Sequence, residues 1–493
     1  MFGSYQSAVE KISKQAESYN EWISLAIAHD KEKGLDEWRE SNHSNLYDYQ
    51  EIETRLKKLR TLKAKGDEHG LLFTLNEGIH GNMGGMGNPK LYHKAVSGTK
   101  LLVAEYVEAV ADCLWYIAEV DNEIISLEEK LDFLHRASHC FGRTALMLSG
   151  GGQLGNFHMG VLKSLIENDL LPNVISGSSA GSIFTALVGT KSKDELKEFF
   201  RPENLMVEVE KEKGLLSGIV RKRGTVKIDQ VIETINRIIP DLSFQEAYEL
   251  TGININISVA PRESLQKSRL LNAIASPNVM IRSAVLASCA IPGVFPAVTL
   301  LAQDKDGRQV PYLNSRKWVD GSMSNDLPAK RLSRLYGANH FIVSMTNPVV
   351  LPFFKDKPNE IEWVGAVKRF STSLIKETSQ FNYSLAKPFF KRWPKLALTA
   401  NSINSVVQQN YLGDINIRAD FSSIDPRHLL SALTYEEISS LIRKGEKETW
   451  PKLEQIRIAT QIARILDHIL SDFEHEELEL ASQALRERKR RKV

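Results

Sequence analysis

The sequence predicts an α/β protein, a three-layer α/β/α core with a helical N-terminal domain before it and a helical C-terminal region after it. Three observations carry that expectation. From Thr144 onward, short apolar runs alternate with amphipathic stretches. Strands and helices in alternation build a mostly parallel sheet covered on both faces. Upstream, apolar residues recur at helical spacing in Ile52, Leu56, Leu59 and Leu62, and again from Leu101. Downstream, Tyr435 to Leu485 is helical in pattern and ends in the basic run Arg486 to Lys492. The chain thus divides into a helical domain at residues 1–142, a core at 143–346, an interfacial, lid-like region at 347–434 that completes the core, and a helical region at 435–493.

Each element follows from local pattern. Thr144-Ala-Leu-Met-Leu148 predicts a strand, the glycines after it a tight loop, and Phe157 to Asn168 a helix. Val174-Ile-Ser176 predicts a second strand that runs straight into Gly177, with a helix following through Ile183, Leu187 and Val188. Further strands are expected at Ile253 to Val259, Lys317 to Val319 and His340 to Met345. In the N-terminal domain, Gly78, Gly81, Gly84, Gly85 and Gly87, followed by Pro89, interrupt the helices. They predict a flexible connection without chemistry, because phosphate-binding loops normally follow a strand.

Composition excludes several classes of function. Of 493 residues, 42% are apolar and 25% charged, which is globular rather than disordered or fibrous. The net charge of +2 lacks the field of a dedicated nucleic-acid binder. Cys113, Cys140 and Cys289 form neither a disulfide framework nor a CxxC pair, which favours an intracellular setting and implies no structural zinc. Met1 to Asn20 carries Glu10, Lys11, Lys14 and Glu17 and does not read as a secretory leader. The most apolar stretch, Leu101 to Val120, is broken by Glu105, Glu108, Asp112 and Glu119, so no transmembrane segment is expected.

Two glycine motifs compete to define the chemistry. Gly150-Gly-Gly-Gln-Leu-Gly155 satisfies G-x-G-x-x-G between a strand and a helix, as a dinucleotide site does. Such a site also needs a carboxylate at the end of the next strand, and that strand ends in Ile175-Ser-Gly-Ser-Ser179 instead. What stands there is Gly177-Ser-Ser-Ala-Gly181, the G-x-S-x-G turn that presents a nucleophilic serine between a strand and a helix. Gly177 and Gly181 are expected because β-carbons at those positions would collide in so sharp a turn. Ser179 is the candidate nucleophile. Gly150, Gly151 and Gly152, with the N–H of Ala180, are candidate donors to an oxyanion, and Gly155 closes the loop.

A serine hydroxyl attacks only when a base takes its proton. None of the downstream histidines, His340, His428, His468 and His475, falls in an obvious active-site loop. Asp320, followed by Gly321 at a strand end, offers a carboxylate that could act directly. His158, on the first turn of a predicted helix, is expected to be a core residue, and Asp326 and Pro328 are likewise expected to be structural.

Gly150 to Gly155, Gly177 to Gly181 and Asp320-Gly-Ser322 resemble the three motifs of patatin-like phospholipases. The likeness is strongest to the intracellular triacylglycerol lipases of fungi and plants, through Asn156-Phe-His-Met-Gly160, Ala287-Ser-Cys-Ala-Ile-Pro-Gly-Val-Phe-Pro296 and Trp318 to Pro328. Tyr47-Asp-Tyr49, Leu91-Tyr92 and Gly98-Thr-Lys100 resemble the N-terminal domain of those enzymes. The resemblance implies a patatin-like core and a Ser179–Asp320 dyad without a histidine, with the glycine loop as oxyanion hole. It implies lipid ester hydrolysis through an acyl-enzyme, with no metal or organic cofactor. Leu154 stands where the family commonly carries Arg or Lys, and Ser322 where it has Ala or Gly. A phospholipase, an acyltransferase or a non-catalytic lipid-binding protein remain alternatives on the same fold. The expected partner is lipid at a membrane or lipid-droplet surface, not nucleic acid. Leu351-Pro-Phe-Phe354, Trp363 and Pro388 to Lys395 mix aromatics with cations as interfacial segments do. Nothing in the sequence sets an oligomeric state.

Overall fold

The computed structural model describes residues 2–201, 204, 228–263, 266–347, 413–418 and 433–490. The aromatic and basic segments between 351 and 395 lie outside them, as does His428. The chain forms two compact units, Met1–Arg143 with Pro451–Val493, and Thr144–Trp450. The stretch 435–493, expected as one region, is divided between them.

The first unit contains seven helices from the N-terminal stretch: α1 (Phe2–Gln15), α2 (Tyr19–Glu32), α3 (Leu35–Glu40), α4 (Tyr49–Lys65), α5 (Glu68–Gly78), α6 (Leu101–Glu119) and α7 (Leu127–Phe141). Ser18, Asp48, Asp67 and Ser126 cap α2, α4, α5 and α7, each side chain accepting a hydrogen bond from a first-turn N–H. The long helix Leu453–Arg490 joins this unit. Its Ile462, Leu466 and Ile469 share one apolar core with Ile52, Leu56 and Leu59 of α4 and Val103, Val107 and Leu114 of α6. The glycine-rich connection proves to be packed, since Met83, Met86, Leu91 and Tyr92 are buried in the same core. Lys100 is buried too, its ammonium donating to the carbonyls of Trp38 and Ser41 at 2.6 Å, and burial lowers its pKa to about 8.

The second unit is built on a seven-stranded sheet: β1 (Arg143–Leu148), β2 (Val174–Gly177), β3 (Asn254–Pro261), β4 (Arg269–Leu271), β7 (Trp318–Asp320), β8 (Ala338–Met345) and β9 (Ile415–Arg418). Its order is β4-β3-β2-β1-β8-β9, with β7 also paired to β3, while β5 (Leu301–Gln303) and β6 (Gln309–Pro311) form a separate hairpin pair. The expected parallel arrangement holds for β1 with β2, β2 with β3 and β8 with β9. It fails at β4 and β7, both antiparallel to β3. Three-residue strands carry too little pattern to reveal their direction.

Successive buried residues along β1 and β2 mean that both sheet faces are covered. On one face, Ile255, Ile257 and Val259 pack with Phe244, Ile281, Ala284 and Val285. On the other, Ala145, Met147, Val343 and Met345 pack with Leu332 and Tyr336 of the helix Ala329–Tyr336. Three layers result.

The tightest helix contact lies between α8 (Asn156–Glu167) and the helix Tyr435–Thr449. A β-carbon on Gly160 would sit 1.9 Å from the Ile442 carbonyl oxygen, and one on Gly445 would sit 2.2 Å from that of Phe157. The two backbones therefore touch, and only glycine permits it. Lys163 and Glu446, both largely buried, pair beside this contact. Gly160→Ala is expected to force these helices apart and destabilise the protein by about 1–3 kcal/mol, the usual scale of overpacking. Chemical denaturation followed by circular dichroism checks this, and an unchanged midpoint would contradict the close backbone contact.

Candidate active site

The site gathers where three chain segments meet: the glycine loop after β1, the turn from β2 into the helix α9 (Ala180–Gly189), and the end of β7. Ser179 stands between β2 and α9 with φ 49° and ψ −126°, one of few non-glycine residues with positive φ among the described residues. Such a conformation costs of order 1–3 kcal/mol and persists only where its surroundings enforce it. The flanking glycines are required sterically. A β-carbon on Gly177 would lie 2.3 Å from the Gly181 carbonyl oxygen, and one on Gly181 would lie 2.3 Å from that of Leu148.

The strained residue is clamped through both its backbone N–H and its carbonyl. Its N–H donates to the Ser288 hydroxyl at 2.9 Å, and that hydroxyl donates on to the Ser258 carbonyl at 2.8 Å. Its carbonyl accepts from the Ser182 hydroxyl at 2.6 Å and from the Cys289 thiol at 3.4 Å. The next residue, Ala290, accepts the N–H of Asp320 at 3.0 Å. The stretch Ser288 to Ala290 thus fixes the serine and the aspartate relative to each other.

Asp320 ends β7, opposite Val259 of β3, and is 2% exposed. Burial pushes its carboxyl up to about 6, against the neighbouring Ser179 hydroxyl and the N–H and hydroxyl of Ser322, which favour the ionised form. The Ser322 N–H lies 2.8 Å from Oδ1. The serine at 322 is therefore more than a steric variant of Ala or Gly, because it adds a donor to the carboxylate. Gly321 is tight against β3, where a β-carbon would come 2.3 Å from the Ser258 carbonyl oxygen.

The glycine loop packs directly on the turn. A β-carbon on Gly150 would lie 3.0 Å from Ser322 Cβ and 3.2 Å from Ser179 Cβ, and one on Gly155 would lie 2.6 Å from Ala180 Cβ. Its backbone donors are not equivalent. The Gly150 N–H is taken by Asp326 Oδ1 at 2.8 Å, so Gly150, expected as an oxyanion donor, serves as an anchor of the loop. Among the described residues, the N–H groups of Gly151, Gly152 and Ala180 have no hydrogen-bond partner. Ala180 opens α9, so its N–H also lies at the positive end of a helix dipole.

The histidines are elsewhere engaged. His158 is wholly buried, and burial pulls its pKa down to about 4. Its Nε2 lies 2.9 Å from the Ser149 carbonyl, which can only accept, so Nε2 carries the proton and Nδ1 accepts from the Ser344 hydroxyl at 2.7 Å. It braces β1 against β8, in keeping with its expected place in the core. His340 lies on β8 beside the Thr144 hydroxyl at 3.1 Å. His468 belongs to the first unit and pairs with Asp472 at 3.0 Å. The side chain of His475 lies outside the described residues. Sequence reasoning passed over Ser288 and Ser178, and assigned Asp326 no part in the site. The only signal for Ser288 was its place in the Ala287 to Pro296 stretch.

A hydroxyl in a strained turn, beside a buried carboxylate and flanked by backbone N–H groups without partners among the described residues, is suited to acyl transfer. The chain matches the model of the patatin-like phospholipases over residues 146–332, and that of a domain of unknown function, DUF3336, over residues 3–139. It belongs to the patatin-like phospholipase family. Within that family it is 34% identical to a triacylglycerol lipase of Arabidopsis thaliana over 94% of this chain and 58% of that protein. It is 36% identical to triacylglycerol lipase 4 of Saccharomyces cerevisiae over 91% of this chain and 52% of that protein. Against a triacylglycerol lipase of Schizosaccharomyces pombe it is 33% identical, covering 89% of this chain and 92% of the relative. The chain thus spans little more than half the length of the first two relatives. Among solved structures, VipD from Legionella pneumophila matches 67% of each chain at 13% identity, with a TM-score of 0.30.

Ser288→Ala removes the hydroxyl that accepts the Ser179 N–H and leaves that buried donor unpaired. The expected cost is about 1–3 kcal/mol of stability, together with slower reaction of Ser179 with a fluorophosphonate. Thermal unfolding and the labelling rate, measured on the same protein, check both.

Proposed function

We propose that this chain hydrolyses fatty acyl esters of glycerolipids, with triacylglycerol the preferred substrate, through a Ser179–Asp320 dyad. The observation that carries the reading is the Ser179 hydroxyl in its strained turn beside the buried Asp320 carboxylate, together with the Gly151, Gly152 and Ala180 N–H groups, which have no partner among the described residues. Asp320 takes the hydroxyl proton as Oγ adds to the ester carbonyl. The oxyanion so formed accepts hydrogen bonds from those N–H groups. Collapse expels the alcohol, which leaves with the proton from Asp320, and the acyl-enzyme remains. Water then adds to the acyl-enzyme, giving its proton to Asp320, and fatty acid departs as Ser179 recovers a proton. The triacylglycerol preference draws on the names of the relatives.

Among the described residues no helix is long and apolar enough to cross a membrane. We propose that the protein acts at the surface of a membrane or lipid droplet, a reading supported by the aromatic and basic stretches of sequence between 351 and 395. The decisive experiment is fatty acid release from triacylglycerol, phospholipid and monoacylglycerol by the same preparation. Preference for phospholipid would move the reading to a phospholipase, and transfer to a lysolipid without free acid would make it an acyltransferase.

Ser179→Ala and Asp320→Asn are each expected to lower hydrolysis by at least about three orders of magnitude while leaving the fold intact, since each removes an atom that takes part in every turnover. A folded Asp320→Asn protein that still labels at the parent rate would sink the dyad.

The pH dependence follows from the sign of the Asp320 shift. The base works ionised and its pKa lies near 6, so kcat/KM is expected to fall as pH drops through 6 and to level off above it. Ser322→Ala removes a donor that favours the ionised form, so the acid limb should move to higher pH. A profile that moved the other way, or not at all, would show that the limb belongs to another group.

A further inference from the structure

A second carboxylate lies behind the site. Asp326 is fully buried, and among the described residues three donors from three separate segments converge on it. The Gly150 N–H reaches Oδ1 at 2.8 Å, the Ser178 hydroxyl bonds the same oxygen, and the Asn347 amide reaches Oδ2 at 2.7 Å. Gly150 starts the glycine loop, Ser178 immediately precedes Ser179, and Asn347 follows β8. Burial, and the charge of Asp320, push the Asp326 carboxyl up to about 6, so it too is ionised at neutral pH. An ionised carboxylate accepts only, and all three of these neighbours donate.

The consequence is geometric. Gly150, Gly151 and Gly152 have no side chains to anchor them, so the loop takes its orientation from backbone hydrogen bonds. The bond to Asp326 sets the peptide plane between Ser149 and Gly150. The Gly150 carbonyl in turn accepts from the hydroxyls of Ser149 at 3.2 Å and Thr346 at 3.3 Å. In a trans peptide the carbonyl and the following N–H point in opposite directions. Holding the Gly150 carbonyl toward Thr346 therefore turns the Gly151 N–H away from it. Through Ser178, the same carboxylate that holds the loop also holds the turn carrying Ser179.

We infer that Asp326 is a positioning residue for the reaction: by tying the Gly150 N–H and the Ser178 hydroxyl to one carboxylate, it sets the distance between the glycine-loop donors and Ser179. It touches neither substrate nor the reacting atoms. The inference rests on the Ser179 reading above. Its effect falls on the transition state, where the oxyanion must meet the loop, and not on ground-state binding of lipid.

The test is steady-state kinetics and fluorophosphonate labelling on four variants of the full chain: Asp326→Asn, Ser178→Ala, the two combined, and Asp326→Asn with Asn347→Asp. Asp326→Asn keeps the shape and loses the charge, so kcat is expected to fall about 10- to 100-fold, the scale of a lost charge-assisted hydrogen bond. KM and the thermal midpoint should stay within about twofold and a few degrees respectively. Ser178→Ala should lower kcat less, and the combined variant should be no worse than Asp326→Asn alone, because both changes cut the same tie. Asn347→Asp returns a carboxylate to the pair and should recover part of the lost kcat. If Asp326→Asn turns over at the parental rate while Ser179→Ala is dead, the positioning role is overturned and the dyad stands. If Ser179→Ala still hydrolyses lipid, the dyad reading itself falls. Should Asp326→Asn fail to fold, Ser178→Ala decides: parental kcat in that variant overturns the inference.

Discussion

The positive φ of Ser179 is the constraint on which the rest of the site depends. A serine does not hold that conformation by preference, so the surroundings must enforce it. Gly177 and Gly181 remove the steric obstacle, Ser288 and Ser182 hold the peptide on either side of the residue, and α9 starts at the next position. The result is a hydroxyl presented beside the end of β7, where Asp320 waits. Strand order serves this arrangement. β2 and β7 pair with the same edge of β3, β2 along residues 254–257 and β7 along 259–261, so the antiparallel β7 ends at Asp320 just beyond Gly177, where the turn begins.

Buried charge is managed with opposite outcomes for acids and base. Burial raises the carboxyls of Asp320 and Asp326 and lowers His158, in each case against the charged form. The two aspartates recover part of that cost because serine hydroxyls and backbone N–H groups donate to them, and at about 6 both remain ionised at neutral pH. His158 has a carbonyl and two hydroxyls for neighbours and no carboxylate. Burial outweighs the support that the Ser149 carbonyl gives a cation, so the imidazole stays neutral and serves as a brace. The buried imidazole of His158 is thus spent on the scaffold, where it braces β1 against β8.

The second unit also extends further along the chain than its motifs. The patatin-like match ends at residue 332, yet the helix Tyr435–Thr449 lies backbone to backbone against α8. α8 follows the glycine loop directly, so the seating of the helix Tyr435–Thr449 against it bears on the loop's position. The remainder of the C-terminal stretch instead completes the apolar core of the first unit, where Leu466 and Ile469 meet residues of α4 and α6.

What the sequence determined by itself was whatever depends on short-range sterics and pattern. Glycine spacing around Ser179, the alternation of strands and helices from Thr144, and the strand ending at Asp320 are all encoded within a few residues, and each appears close to its expected place. Three-residue strands such as β4 and β5 escaped, because so short a run has no period, and the antiparallel direction of β7 is a property of pairing rather than of its own residues. The roles of the polar groups required the tertiary structure. Asp326 meets Gly150 across 176 residues of chain and His158 meets Ser344 across 186, so no local window contains either contact. The same long-range bond decided which glycine N–H groups are left for an oxyanion, taking Gly150 out of that set. A hydrogen bond depends on where a donor points, and folding, not residue type, sets that direction.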